Sequence, residues 1–285
     1  MNEVVVLSGK GGTGKTSIVG SFAVLAKSKI MADCDVDAAD LHLLLQPDTK
    51  EKNEFWSGQV ASIDMEKCTE CGLCQDLCRF DAIHDFKVDP VSCEGCGFCV
   101  HICPAEAIEM QENMAGHWFI SDTKYGSLVH ARLGIAQENS GKLVALVRRK
   151  ARDITENERL EYILSDGPPG IGCPVISSLS GANMAVLVTE PTLSGIHDLD
   201  RVIGVCRHFG VSPLVCINKY DLNEDNSRQI EDNCGKEKIE VVAKIPFDNI
   251  VTKALVQGVP VVEYSDGKVS REIERAWGRI RNVLS

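Results

Sequence analysis

Seven short stretches of the chain are almost wholly apolar: Val4–Leu7, Ile30–Asp33, Leu143–Val147, Tyr162–Ser165, Ala185–Thr189, Leu214–Ile217 and Val241–Ile245. They are rich in Val, Ile and Leu and do not alternate with polar residues. A strand with one wet face alternates; a continuous apolar run is the mark of a strand covered on both faces of a parallel sheet. Between these runs lie stretches of helical spacing, such as Thr16–Lys27 and Ile196–Phe209. Strands alternating with helices predict an α/β fold, a doubly wound and mostly parallel sheet.

Residues 60–113 break this rhythm. They show almost no helical or long-strand pattern, and "IDMEKCTECGLC" aligns with "FKVDPVSCEGCGFC" as an internal duplication. The expected organisation is an α/β domain split into 1–59 and 114–285, with a small unit at 60–113 inserted. The chain has 285 residues, 44% of them hydrophobic, which is enough for one sizeable domain and a small one. No apolar run approaches the roughly 20 residues that cross a bilayer. A short apolar stretch opens directly into a glycine loop at the N-terminus, so no signal peptide and a cytoplasmic protein are expected.

Thirteen cysteines in such a protein argue for metal or redox chemistry over disulfides. The net charge is −11, and residues 60–113 hold eleven acidic residues against three basic ones. That argues against a nucleic-acid groove there. It leaves two readings, a face that steers a basic protein partner and a unit kept soluble by charge.

Gly9-Lys10-Gly11-Gly12-Thr13-Gly14-Lys15-Thr16 fits G-x-x-x-x-G-K-T between an apolar strand and a helical stretch. Glycines let backbone N–H groups approach phosphate oxygens, and the helix N-terminus adds its dipole. Lys15 should reach the β- and γ-phosphates and the Thr16 hydroxyl should bind Mg²⁺, with Ser17 completing the nucleotide-binding run.

With Lys10 in place, "KGGTGKT" resembles the deviant phosphate loop of the MinD/ParA/Mrp superfamily of P-loop ATPases, which includes the nitrogenase iron protein. The resemblance implies ATP and Mg²⁺ as cofactors. It also implies a homodimer, or a heterodimer with a similar ATPase, in which Lys10 reaches the partner subunit's nucleotide. "ADCDVDAADLHLLL" resembles the family's D-x-D segment and puts the water-positioning role on Asp35, with Asp33 supporting the loop or Mg²⁺; no role passes to Asp40. "ILSDGPPGIGCP" resembles its second switch and gives Asp166 a Mg²⁺ contact. Lys10, Lys15 and Asp35 are then the catalytic set, and Thr16, Asp35 and Asp166 the magnesium set. "CINKYD" resembles the base-recognition segment through Asn218 and Lys219, and "IPFD" its other base-contacting loop through Pro246. Asp221 completes N-K-x-D, the pattern with which GTPases read guanine, so base identity stays open, with ATP preferred.

The duplicated run spaces its cysteines as C-x-x-C-x-x-C-x-x-x-C twice. This resembles a bacterial-type ferredoxin with two [4Fe–4S] clusters, in which the fourth cysteine of each run crosses to the other cluster. Cys68, Cys71, Cys74 and Cys103 would hold one cluster, and Cys93, Cys96, Cys99 and Cys78 the other. Soft thiolates suit iron–sulfur chemistry; zinc, the rival, uses paired arms across a longer gap. Arg79 stands where the first run would carry proline.

Cys173 lies where the nitrogenase iron protein has a cluster-ligating cysteine, and is a candidate interface thiol or a small buried side chain. The C-terminal "SREIERAWGRIRNVLS" is amphipathic, either a membrane-contacting helix or, preferred, a helix packed on the sheet. His117, Trp118 and His130 are assigned no ligand role. The leading expectation is an iron–sulfur ATPase that couples ATP hydrolysis to electron transfer towards a redox protein partner. The alternatives are an Mrp-like cluster or metal-centre assembly carrier and a redox-sensing, MinD/ParA-like positioning ATPase.

Overall fold

The structure is a computed structural model and describes residues 1–134 and 140–284. Strands form at β1 (Asn2–Ser8), β2 (Lys29–Asp33), β3 (Asp48–Ile63), β4 (Ile83–His84), β5 (Lys87–Val88), β6 (Ile108–Thr123), β7 (Gly126–Leu133), β8 (Tyr162–Pro169), β9 (Met184–Thr189), β10 (Ser212–Asn218) and β11 (Val241–Ile245). Nine of them make one sheet in the order β11-β10-β9-β1-β8-β2-β7-β6-β3. Every pairing from β11 across to β7 is parallel. The chain divides into two compact units, one comprising Met1–Lys52, Trp118–Arg132 and the chain from Ser140, the other Asn53–His117 with the segment that starts at Leu133.

In the first unit β1 shows why its apolar run does not alternate. Val4 and Val6 pack into one core with Phe22, Leu41, Leu164 and Trp277. Val5 and Leu7 point the other way, into a second core with Val175, Leu187, Leu199 and Ile217. Neighbouring side chains on a strand face opposite sides, so a sheet covered twice needs apolar residues at every position. The amphipathic last helix, Lys268–Leu284, buries Ile273, Ala276, Trp277 and Ile280. Trp277 stacks obliquely on Phe22 at 5.3 Å and meets Tyr162 edge-on at 5.4 Å. Its apolar face is covered within its own unit, and no helix of the described residues is long and apolar enough to cross a membrane.

Two expectations about elements fail. Leu143–Val147 is no strand: it lies inside the helix Ser140–Glu158, whose buried residues Leu143, Val144, Val147, Arg148, Ala151 and Thr155 recur at helical spacing. The long strands β3 and β6, of 16 residues each, run into both flanks of the cysteine region, where no strand was expected. β3 reads DTKEKNEFWSGQVASI and is mostly exposed, so it carries no apolar run to betray it.

The second unit repeats its own hydrogen bonds 25 residues apart. Asp64 N–H donates to Ala107 O and Asp89 N–H to Ala82 O, both at 2.8 Å. Cys68 N–H donates to Asp64 O and Cys93 N–H to Asp89 O, both at 3.0 Å. Ala82 N–H reaches Cys78 Sγ at 3.4 Å, and Ala107 N–H reaches Cys103 Sγ at 3.3 Å. Each half thus binds the other in the same way, a pseudo-two-fold built from the duplicated sequence. The short helices Leu73–Asp76 and Phe98–Ile102 both start from a left-handed glycine, Gly72 and Gly97. Gly95 has φ 61°, and a Cβ there would lie 2.2 Å from Gln59 O. Gly95→Ala should therefore destabilise this unit by about 2 kcal/mol or more, seen as earlier proteolysis of the cysteine region; unchanged protection would contradict the assignment.

Candidate nucleotide site

The phosphate loop leaves β1 at the carboxyl edge of the sheet, where ligands of open α/β folds bind. Gly12 and Gly14 take φ 77° and 91°, a region open to glycine and strained for other residues. A Cβ on Gly14 would also lie 2.5 Å from Asn218 Nδ2. That amide donates to Thr13 O at 2.8 Å, so Asn218 braces the loop. The helix Lys15–Leu25 follows, with no acidic residue in its first turn to compete with an anion.

Three carboxylates gather beside it. Asp33 and Asp166 are register partners on β2 and β8. Asp33 is fully buried, its Oδ1 accepting from Asp35 N–H and its Oδ2 from Leu41 N–H, both at 3.2 Å. Burial, and then the neighbouring Asp166, push its proton affinity well up. Asp35 lies 3.8 Å from the ammonium of Lys15, which is itself buried. Burial raises the Asp35 carboxyl and Lys15 lowers it. Asp166 is 1% exposed, and among the described residues neither carboxylate oxygen has a well-formed hydrogen bond, although the Thr16 hydroxyl stands close enough to favour its charged form. Burial pushes it up to about 7, against a pull downward from Lys15 and Thr16.

Lys10 does not project freely. Its ammonium lies 3.3 Å from Thr192 Oγ1, 3.4 Å from Ser194 Oγ and 3.6 Å from the Glu190 carboxylate. Glu190 also pairs with Lys219. Gly9 sits so close to Asp198 that a Cβ would fall 2.3 Å from the Asp198 Cβ. The sequence reading missed Glu190, Thr192 and Ser194. Their one signal was position, just past the carboxyl end of a buried strand, where α/β sites collect.

A cavity of about 200 Å³ opens beside the loop, lined by Gly12, Gly14, Ser17, Asn218, Lys219, Pro246 and Phe247 among others. It is large enough for part of a nucleoside and joins Asn218, Lys219 and Pro246, the residues expected to meet the base. Asp221 is not in its lining.

The CobQ/CobB/MinD/ParA nucleotide binding domain family matches the chain over residues 4–261. The chain belongs to this family. An uncharacterized protein of Methanocaldococcus jannaschii is 32% identical over 285 residues, 99% of this chain and 97% of its own. The septum site-determining protein MinD of Thermotoga maritima is 30% identical over 127 residues, 42% of this chain and 47% of its own. Among solved structures, MinD complexed with Mg-ADP from Pyrococcus horikoshii superposes with a TM-score of 0.60 at 20% identity, covering 100% of this chain and 97% of that one. The MinC:MinD cell division protein complex of Aquifex aeolicus gives 0.60 at 19%, covering 99% and 96%. At those identities the likeness is one of fold.

The family's nucleotide site does not account for the cysteines of the second unit. Cys68, Cys71, Cys74 and Cys103 border one small cavity, with Pro104 and Ile108. Cys78, Cys93, Cys96 and Cys99 border another, of about 220 Å³, with Arg79 and Phe80; Cys74 touches this one too. None of the thirteen cysteines is in a disulfide. Two assembled ferredoxin clusters were expected from these eight, but no group of three or more His, Cys, Asp or Glu among the described residues is drawn together so as to hold a metal ion. The thiols stand around the cavity walls, and Cys68, Cys78 and Cys103 accept from backbone N–H groups. Cys173 lies apart in the first unit, exposed at the start of the helix Cys173–Leu179.

Proposed function

We propose that this chain is an ATP-binding and ATP-hydrolysing switch of the MinD/ParA kind that acts as a dimer. Asp166 carries the reading. A buried carboxylate without a well-formed hydrogen bond on either oxygen is costly to keep charged, and a cation beside it offsets that cost. A Mg²⁺ ion arriving with the nucleotide phosphates would satisfy it, with the Thr16 hydroxyl and Asp35 as neighbouring oxygen donors. When bound, the ion offsets charge developing on the transferred phosphoryl group. The chain's own residues do the remainder: loop amides bind phosphate, Lys15 neutralises it, and Asp35 orients the attacking water. Lys10, exchanging Glu190 for phosphate, would bridge to a second copy. The purified protein should hydrolyse MgATP, and Lys15→Ala should lower turnover at least about 100-fold; a wild type with no turnover, or a variant equal to it, would sink the reading.

A second reading, iron–sulfur chemistry in the second unit, is favoured by one observation. Each cavity is bordered by a complete four-cysteine set that includes the crossed fourth residue. Four thiols around a space suit a cubane better than a single ion, since the cube presents its corners to ligands that do not converge. The clusters would supply one-electron transfer towards a redox protein partner, with cluster delivery as the other use. Anaerobic reconstitution should give about eight irons per chain, and Cys71→Ala and Cys96→Ala should each remove about four. No iron above background in the wild type would end this reading while leaving the ATPase intact.

A further inference from the structure

Asp221 completes Asn218-Lys219-Tyr220-Asp221, the spacing with which a carboxylate reads guanine. Its surroundings give it another task. Strand β10 ends at Asn218, Lys219 turns left-handed at φ 54°, and the single 3-10 turn Tyr220–Leu222 follows. That turn, closed by Leu222 N–H to Lys219 O at 3.1 Å, brings Asp221 to the main chain of Phe247. Asp221 Oδ1 accepts from Phe247 N–H at 2.7 Å. The cavity beside the phosphate loop is lined by Pro246, Phe247 and Asp248, and not by Asp221.

The Phe247 side chain is 49% exposed, so packing alone does not fix this piece of wall. Two carboxylates do. Asp248 caps the helix Asn249–Val256 by accepting from Ile250 N–H at 2.9 Å, and Asp221 holds the residue before it. A group that reads guanine must present its oxygens to the N1–H and the exocyclic amine inside the cavity. Asp221 presents an oxygen to the main chain outside it.

We propose that Asp221 is a positioning residue that pins the Pro246–Phe247 turn against the nucleoside cavity and so sets the affinity for an adenine nucleotide without reading the base. This deepens the nucleotide-switch reading and rests on it. An oxygen acceptor at this position, charged or not, satisfies the Phe247 N–H. A base-reading carboxylate has no such tolerance, because an amide in its place offers N–H where guanine also offers N–H.

The test is titration of the full chain with fluorescent ADP, GDP and xanthosine diphosphate in excess Mg²⁺, for wild type, Asp221→Ala and Asp221→Asn. Asp221 is exposed, and thermal unfolding by circular dichroism checks that each variant is folded. Wild type should prefer ADP to GDP. Asp221→Ala should weaken ADP about 5- to 10-fold and GDP by the same factor, leaving their ratio unchanged, whereas Asp221→Asn stays within about 2-fold of wild type. A wild type that prefers GDP, an Asp221→Asn protein that gains xanthosine diphosphate at the expense of GDP, or an Asp221→Ala protein with undiminished ADP binding overturns the proposal. A wild type that binds none of the three overturns the nucleotide-switch reading itself.

Discussion

Without nucleotide, an Asp166→Asn protein will be more stable than wild type; with MgATP it will be inactive. The carboxylate is buried, has no well-formed hydrogen bond among the described residues, and shares its surroundings with Asp33 and Asp35. An amide of the same shape carries no charge at any pH and offers two N–H donors to the neighbouring carboxyls. The carboxyl titrates near 7 in the folded chain against an ordinary value of 3.8. The folded state therefore holds a proton that the unfolded state has released, and stability falls as pH rises between those two values. The penalty is complete above the folded value and on the order of 2–4 kcal/mol at pH 8. Urea unfolding in EDTA at pH 5 to 8 should show wild type losing stability with rising pH and the variant losing less. Parallel profiles, or a weaker variant, would refute this. If Asp166 meets Mg²⁺ as proposed, turnover should drop at least about 100-fold, because a neutral amide offers a metal ion less than a carboxylate does. Stability given up at a functional site is a usual trade.

The second large effect lies far from the nucleotide. Glu3, 1% exposed at the start of β1, accepts from Arg148 Nε at 2.6 Å and from Arg152 Nη2 at 2.7 Å. Arg148 is 4% exposed and also donates to Ser177 O and Ser180 O, tying the helix Ser140–Glu158 to the end of the helix Cys173–Leu179. Glu3→Ala would leave the Arg148 charge buried without a counter-charge, at a cost of about 3–5 kcal/mol. Replacing the two buried members by apolar residues, Glu3→Leu with Arg148→Met, should recover much of that, since the buried pair stabilises little beyond its own desolvation and Arg152 can turn to solvent. Urea midpoints of the three proteins decide it: a double variant as weak as Glu3→Ala would mean that the arginine's carbonyl contacts, and not the ion pair, hold this corner.

Much of the first unit was legible because its central strands are apolar at every position, a pattern helices seldom share. Where the pattern is shared the reading failed. Leu143–Val147 is five apolar residues, and only the wider spacing to Ala151 and Thr155 reveals the helix. β3 was illegible because a largely exposed strand needs no apolar face. At the site, local motifs were readable because phosphate binding needs consecutive residues on one turn. The restraint on Lys10 was not: Thr192 stands 182 residues away in sequence, and the contact exists only once β1 and β9 are neighbours. The bond from Phe247 N–H to Asp221 was equally hidden, because the two residues stand 26 positions apart and the N-K-x-D spacing is silent on it.

The exchanged hydrogen bonds of the second unit have an evolutionary consequence. Asp64 bonds into the later half and Asp89 into the earlier one, and the fourth cysteine of each run borders the cavity of the other. One half alone would therefore lack its hydrogen bonds to the other half and the fourth cysteine at its cavity. It would regain them only in a symmetric pair of identical peptides. The present unit reads as such a pair joined end to end, with covalent linkage replacing the concentration that a free pair would need.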